Sequence, residues 1–482
     1  MKEKSLKLNM ALNAVKSLMG IVFPLISFPY VAKTLSVTDL GQYNFASSVI
    51  GYFALFAQLG ISSYAVREGA GIRDNQEKLK KFCGEILSIN MLATAIVYVV
   101  FFMCLLTVPK FHGYTALLLT FSVQIIFTTI GTEWIFGIYE DYLFLTIRSI
   151  VVQMLSIVLL FVFVRKQGDV IPYAVVTVTA NVGANVVNCV CAQKKIRFGL
   201  RKSLNLRHHL KPILIIFSTA LACTIYVNSD VTVLGFICSD YNVGLYSVST
   251  KIYTVLKTVA TSTLMVAIPR LSYYIANNMQ SEYNKQLKTI LQTIIVLIAP
   301  VTVGVIMLRR EVILLLADES YMGAIESLVI LCAALPVCVL ATFVGQCILM
   351  PFKEEKVIFK ATIISAAVNL VLNLILIPFF AQNAAAFTTL LAEGTALIIQ
   401  AYYARKYVKL SGIFKTIRNT ALGSIAIVVC CVLLSGVHLF TVRILADIVI
   451  SAITYLVILT LLKEEGIVFL LRWTRQRKSE EK

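Results

Sequence analysis

Apolar residues gather into fourteen long runs, separated by short polar turns. The runs are Leu8–Ala32, Gly41–Val66, Gly84–Leu106, Tyr114–Gly137, Leu143–Val164, Ile171–Cys191, Pro212–Cys238, Tyr241–Pro269, Ile290–Leu308, Ile325–Met350, Val357–Phe379, Asn383–Ala404, Asn419–Phe440 and Arg443–Leu462. A helix rising ~1.5 Å per residue needs ~20 residues to cross a ~30 Å hydrocarbon core, and these runs have that length. Strands of a membrane barrel would be about half as long and would alternate polar with apolar positions, which these do not. The pattern predicts an all-α polytopic membrane protein of about fourteen spans. The first run holds Pro24 and Pro29 and has no small-residue cleavage pattern, so it reads as a retained span with a bend that could be static or could move.

Composition agrees. Of 482 residues 59% are apolar and 14% charged, against roughly 25% charged in soluble chains. A water-exposed surface with so few charges would leave large sticky patches. The eleven cysteines fall mostly inside apolar runs with no disulfide or zinc spacing, so they read as small apolar fillers. The four histidines leave little imidazole for a metal, and His208–His209 sits in a basic loop.

The net charge of +18 could suggest nucleic acid, but its placement points to membrane orientation. With the N-terminus inside, 31 of the 43 Lys and Arg fall in inner segments, 7 in outer segments and 5 within spans. That asymmetry follows the positive-inside rule and predicts both termini in the cytoplasm. The same charges would attract anionic inner-leaflet lipid. No soluble domain with a basic face exists to bind nucleic acid.

Two sequence echoes recur. Thr38-Asp39-Leu40-Gly41-Gln42-Tyr43 resembles Ser239-Asp240-Tyr241-Asn242-Val243-Gly244-Leu245-Tyr246 in pairing a hydroxyl residue with Asp and Gly-x-Tyr. Gly137-Ile138-Tyr139-Glu140-Asp141 resembles Met350-Pro351-Phe352-Lys353-Glu354-Glu355-Lys356. Loop ends favour such residues anyway, but both echoes fall in register with a six-span period. The expected organisation is therefore two parallel six-helix lobes around a central cavity, residues 1–200 and 201–410, with two further helices and a basic tail at 411–482.

Ionisable residues inside the spans are costly and must face protein or water. Lys16, Lys251 and Lys257 could line a cavity and hold phosphate as point charges, with Asn228 beside them; snorkelling or a structural ion pair is the alternative. Lys251 and Lys257 are six residues apart, about 120° around the helix, so they do not form one stripe. Asp230 and Glu393 could carry a proton or bind Na⁺. Arg148, Glu133, Lys360 and Glu326 lie near span ends and are expected at the interface. Asn181, Asn185 and Asn188, like Asn369 and Asn373, are spaced as helix–helix glue. No Walker loop, catalytic triad or metal-ligand set is present, so no enzyme chemistry and no cofactor is expected beyond H⁺ or Na⁺ coupling.

Phe28-Pro29-Tyr30-Val31-Ala32, Thr38 to Tyr43, Ala65-Val66-Arg67-Glu68 and Tyr142 to Ile150 resemble bacterial polysaccharide-repeat flippases of the O-antigen type, within the multidrug/oligosaccharidyl-lipid/polysaccharide exporter superfamily. The resemblance covers nearly the whole chain and says nothing about the sugar. It implies a monomeric, inner-membrane, cation-coupled flippase for undecaprenyl-pyrophosphate-linked oligosaccharide, working beside glycan-assembly proteins. It points to Lys16, Lys251 and Lys257 for the pyrophosphate and to Asp230 or Glu393 for coupling. The rivals are a multidrug or other small-molecule exporter of the same superfamily and, from another class, a membrane glycan polymerase.

Overall fold

The computed structural model describes residues 6–200, 206–265, 267–408, 412–436, 440–464 and 466; of residues 6–11, 13–18, 21, 206, 207 and 441 only the backbone is described. Among the described residues every regular element is helical. The chain forms two compact units, Met1–Gly244 and Leu245–Lys482.

The first unit contains α1 (Leu6–Thr34), α2 (Val37–Gln58), α3 (Ile61–Gly71), α4 (Gln76–Thr107), α5 (Pro109–His112), α6 (Thr115–Gly131), α7 (Trp134–Ile138), α8 (Tyr142–Phe163), α9 (Val170–Lys195) and α10 (Leu206–Ile237). α1 runs unbroken through Pro24 and Pro29. The second expected span is longer than its apolar run and is interrupted. α2 starts at Val37 because Ser36 and Asp39 form a reciprocal capping box. It ends at Leu59–Gly60, both in the left-handed region at φ 49° and 68°. The fourth span is broken in the same way, at Thr132 with φ 45°. α10 packs on α2 and α3. The core of this unit gathers around α7, where Trp134, Ile135, Phe136 and Ile138 meet Tyr64, Phe82 and Ile86.

The second unit contains α11 (Asp240–Met265), of which the first turn belongs to the first unit, then α12 (Ile268–Ala276), α13 (Gln280–Met307), α14 (Arg309–Leu316), α15 (Ile325–Phe343), α16 (Glu355–Ala404), α17 (Ile413–Leu434) and α18 (Phe440–Leu461). A π-helical turn over Val344–Leu349 extends α15. α16 covers 50 residues but breaks at Ala381, φ 46° and ψ −126°, three residues after Pro378. Proline removes a ladder hydrogen bond, and the break falls between the eleventh and twelfth expected spans. Twelve described stretches are long and apolar enough to cross a membrane. Counting α1, and dividing α16 at Ala381, gives every one of the fourteen expected spans a helical counterpart. The cysteines are free thiols, and five of them are buried.

Both sequence echoes have structural meaning. At the first, the two turns lie on each other: a Cβ on Gly41 would stand 1.8 Å from the Asp240 carbonyl oxygen, and one on Gly244 would stand 2.0 Å from the Val37 oxygen. The glycines are required because two helix starts cross there at backbone distance. Asp240 also accepts the Tyr114 hydroxyl, and Asp39 accepts the Gly168 N–H at 2.9 Å. At the second echo, Glu140 (φ 52°) and Lys353 (φ 61°) are each followed by an acid whose N–H returns five residues, Asp141 to Phe136 and Glu354 to Leu349. This is the Schellman end of a helix. Asn278–Met279 and Lys463–Glu464 form it too. All four follow even-numbered spans, so this echo marks one side of the membrane as much as a six-span period.

Candidate functional site

In the second unit, α11 presents a polar stripe at positions 246, 249, 253 and 257, a spacing that keeps one helix face. Tyr246 pairs with Thr389 at 3.4 Å. Ser249 donates to the Ala324 carbonyl at 2.9 Å and meets Ser327 at 2.9 Å. Tyr253 and Lys257 both donate to Glu393 Oε1, at 3.3 and 2.9 Å. The stripe thus zips α11 onto α15 and the second half of α16. Glu393 is buried, its side chain 6% exposed, while that of Lys257 is 32% exposed. The lysine side chain is thus partly accessible, while the carboxylate it meets is covered. Cys338 of α15 faces the same pair. Lys251 lies off this stripe and is half-buried.

A second polar group bridges the break in α16. Thr388 Oγ1 donates to Asn373 Oδ1 at 2.5 Å, Asn373 Nδ2 to Asn369 Oδ1 at 3.1 Å, and Asn369 Nδ2 to Thr388 Oγ1 at 3.4 Å. All three are buried, so the ring of amides and hydroxyl ties the two half-helices together.

The first unit holds a polar chamber of about 400 Å³ between α2, α3, α4, α6, α8 and α9. Gln58, Ser62, Asn90, Thr128, Glu133 and Asn185 contribute side chains, and Trp134 forms part of the wall. Glu133 and Arg148, both expected near span ends, meet here, with the Glu133 side chain 42% exposed. The Arg148 side chain is only 9% exposed, and its Nη2 donates to Glu133 at 3.1 Å. The signal was available: the two residues lie equally far on either side of the Glu140–Asp141 turn, so a hairpin brings them to one depth. Asn181 and Asn185 donate to carbonyls of their own helix, at Thr177 and Asn181, and not across to a neighbour.

His209 is also corrected. It lies on α10, buried, and not in a loop. Its Nε2 meets Glu85 at 3.1 Å and its Nδ1 meets the Tyr64 hydroxyl at 2.8 Å. Nothing local in the sequence links positions 64, 85 and 209.

The remaining expected site residues stand as follows. Lys16 lies in α1, but its side chain is outside the described residues. Asn228 is half-buried on α10, and its carbonyl accepts Thr232, which bonds Ser48 of α2 at 3.0 Å. Asp230 is buried two residues further on. The structure therefore brings Lys257 and Glu393 together, two residues given different roles from sequence. Among the described residues no group of three or more His, Cys, Asp or Glu is placed to hold a metal ion.

A family model described as polysaccharide biosynthesis protein matches residues 6–275. The chain belongs to the polysaccharide biosynthesis protein family. A putative O-antigen transporter of Escherichia coli (strain K12) is 24% identical over 270 residues, which is 56% of this chain. The matched stretch spans 65% of that relative's length. Among solved structures, the lipid II flippase MurJ in an inward closed conformation superposes with a TM-score of 0.76 at 16% identity, over 93% of this chain and 98% of that one. A multidrug resistance MATE family transporter of the MOP superfamily, inward-facing, superposes with a TM-score of 0.57 at 13% identity, over 80% and 97%. This member of the polysaccharide biosynthesis family thus has the multi-pass helical fold of those transporters.

Proposed function

We propose that this protein is a flippase that moves undecaprenyl-pyrophosphate-linked oligosaccharide from the cytoplasmic to the outer leaflet of a bacterial inner membrane. The observation that carries the reading is family membership over residues 6–275 together with a fold like that of a lipid II flippase along 93% of the chain. Both termini face the cytoplasm in this reading, so the basic loops meet anionic lipid where the substrate is made. The two six-span lobes alternate access without covalent chemistry, and the chain acts as a monomer beside glycan-assembly proteins. Lys251, with Lys16 and Asn228, holds the pyrophosphate. Lys257 contributes a further positive charge in this reading, with Glu393 paired to it at 2.9 Å. Asp230 and Glu393 are the groups through which H⁺ or Na⁺ drives the cycle.

The rival is export of a multidrug type, which the likeness to the MATE transporter keeps in play as a fold. Cationic drugs would be repelled by lysines in the path. The test is transfer of labelled lipid-linked oligosaccharide across proteoliposome membranes. The wild-type protein transfers it, and Lys251→Ala and Lys257→Ala slow transfer. Equal rates in the variants remove the phosphate-holding role; no transfer by the wild type removes the flippase reading.

A further inference from the structure

We propose that the chamber in the first unit is a saccharide subsite, which receives a neutral sugar of the transported headgroup. The inference rests on the flippase reading for its biological ligand, but the chemistry of the chamber is read from its own walls. Its volume, about 400 Å³, falls in the ~300–1,000 Å³ range of small-ligand sites.

Three ligand classes are separable by charge. A cation would need an excess carboxylate, but Arg148 already neutralises Glu133 at 3.1 Å. A phosphate would need excess positive charge, and the Glu133 carboxylate on the chamber wall repels it. What remains is a wall with no net charge and many directional groups: three amides (Gln58, Asn90 and Asn185), two hydroxyls (Ser62 and Thr128) and the carboxylate. Amides and hydroxyls both donate and accept, which is what a ring bearing several hydroxyls demands. A carboxylate held by a guanidinium accepts two such hydroxyls while its charge stays balanced. Trp134 supplies an apolar surface for the C–H face of a sugar.

Asn90 lines the chamber and is 94% buried. The Asn185 amide is placed by an absence of side chain: a Cβ on Gly131 would come within 2.2 Å of Asn185 Oδ1. Gly131 therefore acts as a positioning residue for one wall of the chamber.

The sequence holds two tryptophans, Trp134 and Trp473, so Trp473→Phe leaves Trp134 as the sole reporter. Purified full-length Trp473→Phe protein is titrated with the methyl glycosides of glucose, galactose, N-acetylglucosamine and rhamnose, and with inorganic pyrophosphate. Saturable fluorescence change is expected with at least one glycoside and none with pyrophosphate. In the same background Asn90→Ala and Asn185→Ala each weaken that glycoside about tenfold, the loss of one well-placed amide contact. Gly131→Ala weakens it through displacement of Asn185 and serves as the independent variant if Asn185→Ala elutes as aggregate. Silence to all four glycosides, a pyrophosphate response, or unchanged affinity in the folded variants overturns the proposal. Transfer of lipid-linked oligosaccharide is measured on the same preparations. Wild-type transfer without glycoside binding sinks the subsite alone, and glycoside binding without transfer sinks the flippase reading alone.

Discussion

Lys257→Ala takes the ion-pair partner from Glu393, whose side chain is 6% exposed, and leaves the Tyr253 hydroxyl at 3.3 Å. Removing one partner of a buried ion pair costs about 3–5 kcal/mol, because the remaining charge is stranded. Glu393→Gln strands less. The Lys257 side chain is 32% exposed, so the charge left behind is less enclosed than the carboxylate, and the new amide oxygen still accepts from Tyr253; the cost is about 1–2 kcal/mol. The double variant should recover most of the first loss, since no charge is then buried alone. Thermal unfolding of the protein in lipid nanodiscs reads the three values as shifts in apparent Tm, about 2–4 °C per kcal/mol for a unit of this size. The order expected is Lys257→Ala lowest, the double variant above it, and Glu393→Gln nearest wild type. Additivity of the single variants within ~0.5 kcal/mol would mean no coupling, and the zipper of α11 onto α16 would be the wrong account of this region.

Gly244→Ala overpacks a backbone crossing with no flexible atom to yield and should cost about 1–3 kcal/mol, whereas Gly183→Ala meets nothing within 4 Å and should stabilise by about 0.5–1 kcal/mol; the pair is compared by Tm. His209→Ala removes the bridge between buried Glu85 and Tyr64 and should destabilise the first unit by about 2–4 kcal/mol, while Tyr64→Phe costs about 1 kcal/mol; a neutral effect of His209→Ala on Tm refutes the bridge. Asp169 accepts the backbone N–H groups of Arg165 and Lys166, at 2.9 and 3.1 Å, and the Arg165 bond first holds its carboxyl below the usual range. Stability from this turn is therefore present above the unfolded pKa of ~3.9 and lost as pH falls through the lower folded value. Asp169→Asn should flatten amide exchange of the turn over that acid window.

Span number, helix type and the break in α16 were legible in the sequence because they depend on local quantities; the breaks at Leu59–Gly60 and Thr132 fell inside runs read as continuous. Twenty apolar residues in a row have no alternative to a helix in lipid, and the cut between Phe379 and Asn383 fell where Pro378 and Ala381 break α16. The Asp and Gly of the first echo were visible for the same reason: capping and close approach are demands on single positions. Where the apolar runs end was less informative. α4 starts eight residues before its run and α13 ten before, since helices continue into the polar layer as long as their own ladder is satisfied.

What only the tertiary structure decided was the partner of each buried charge. Sequence placed Lys257 and Glu393 inside two different spans but had no means to say that they touch across 136 positions. It placed Arg148 and Glu133 near span ends but could not say that a sharp hairpin pairs them, with Glu133 on the wall of a chamber that also needs α4 and α9. A side chain's cost in the membrane depends on what stands opposite it, and in a bundle that is fixed by which helices become neighbours. Periodicity along one helix cannot specify that.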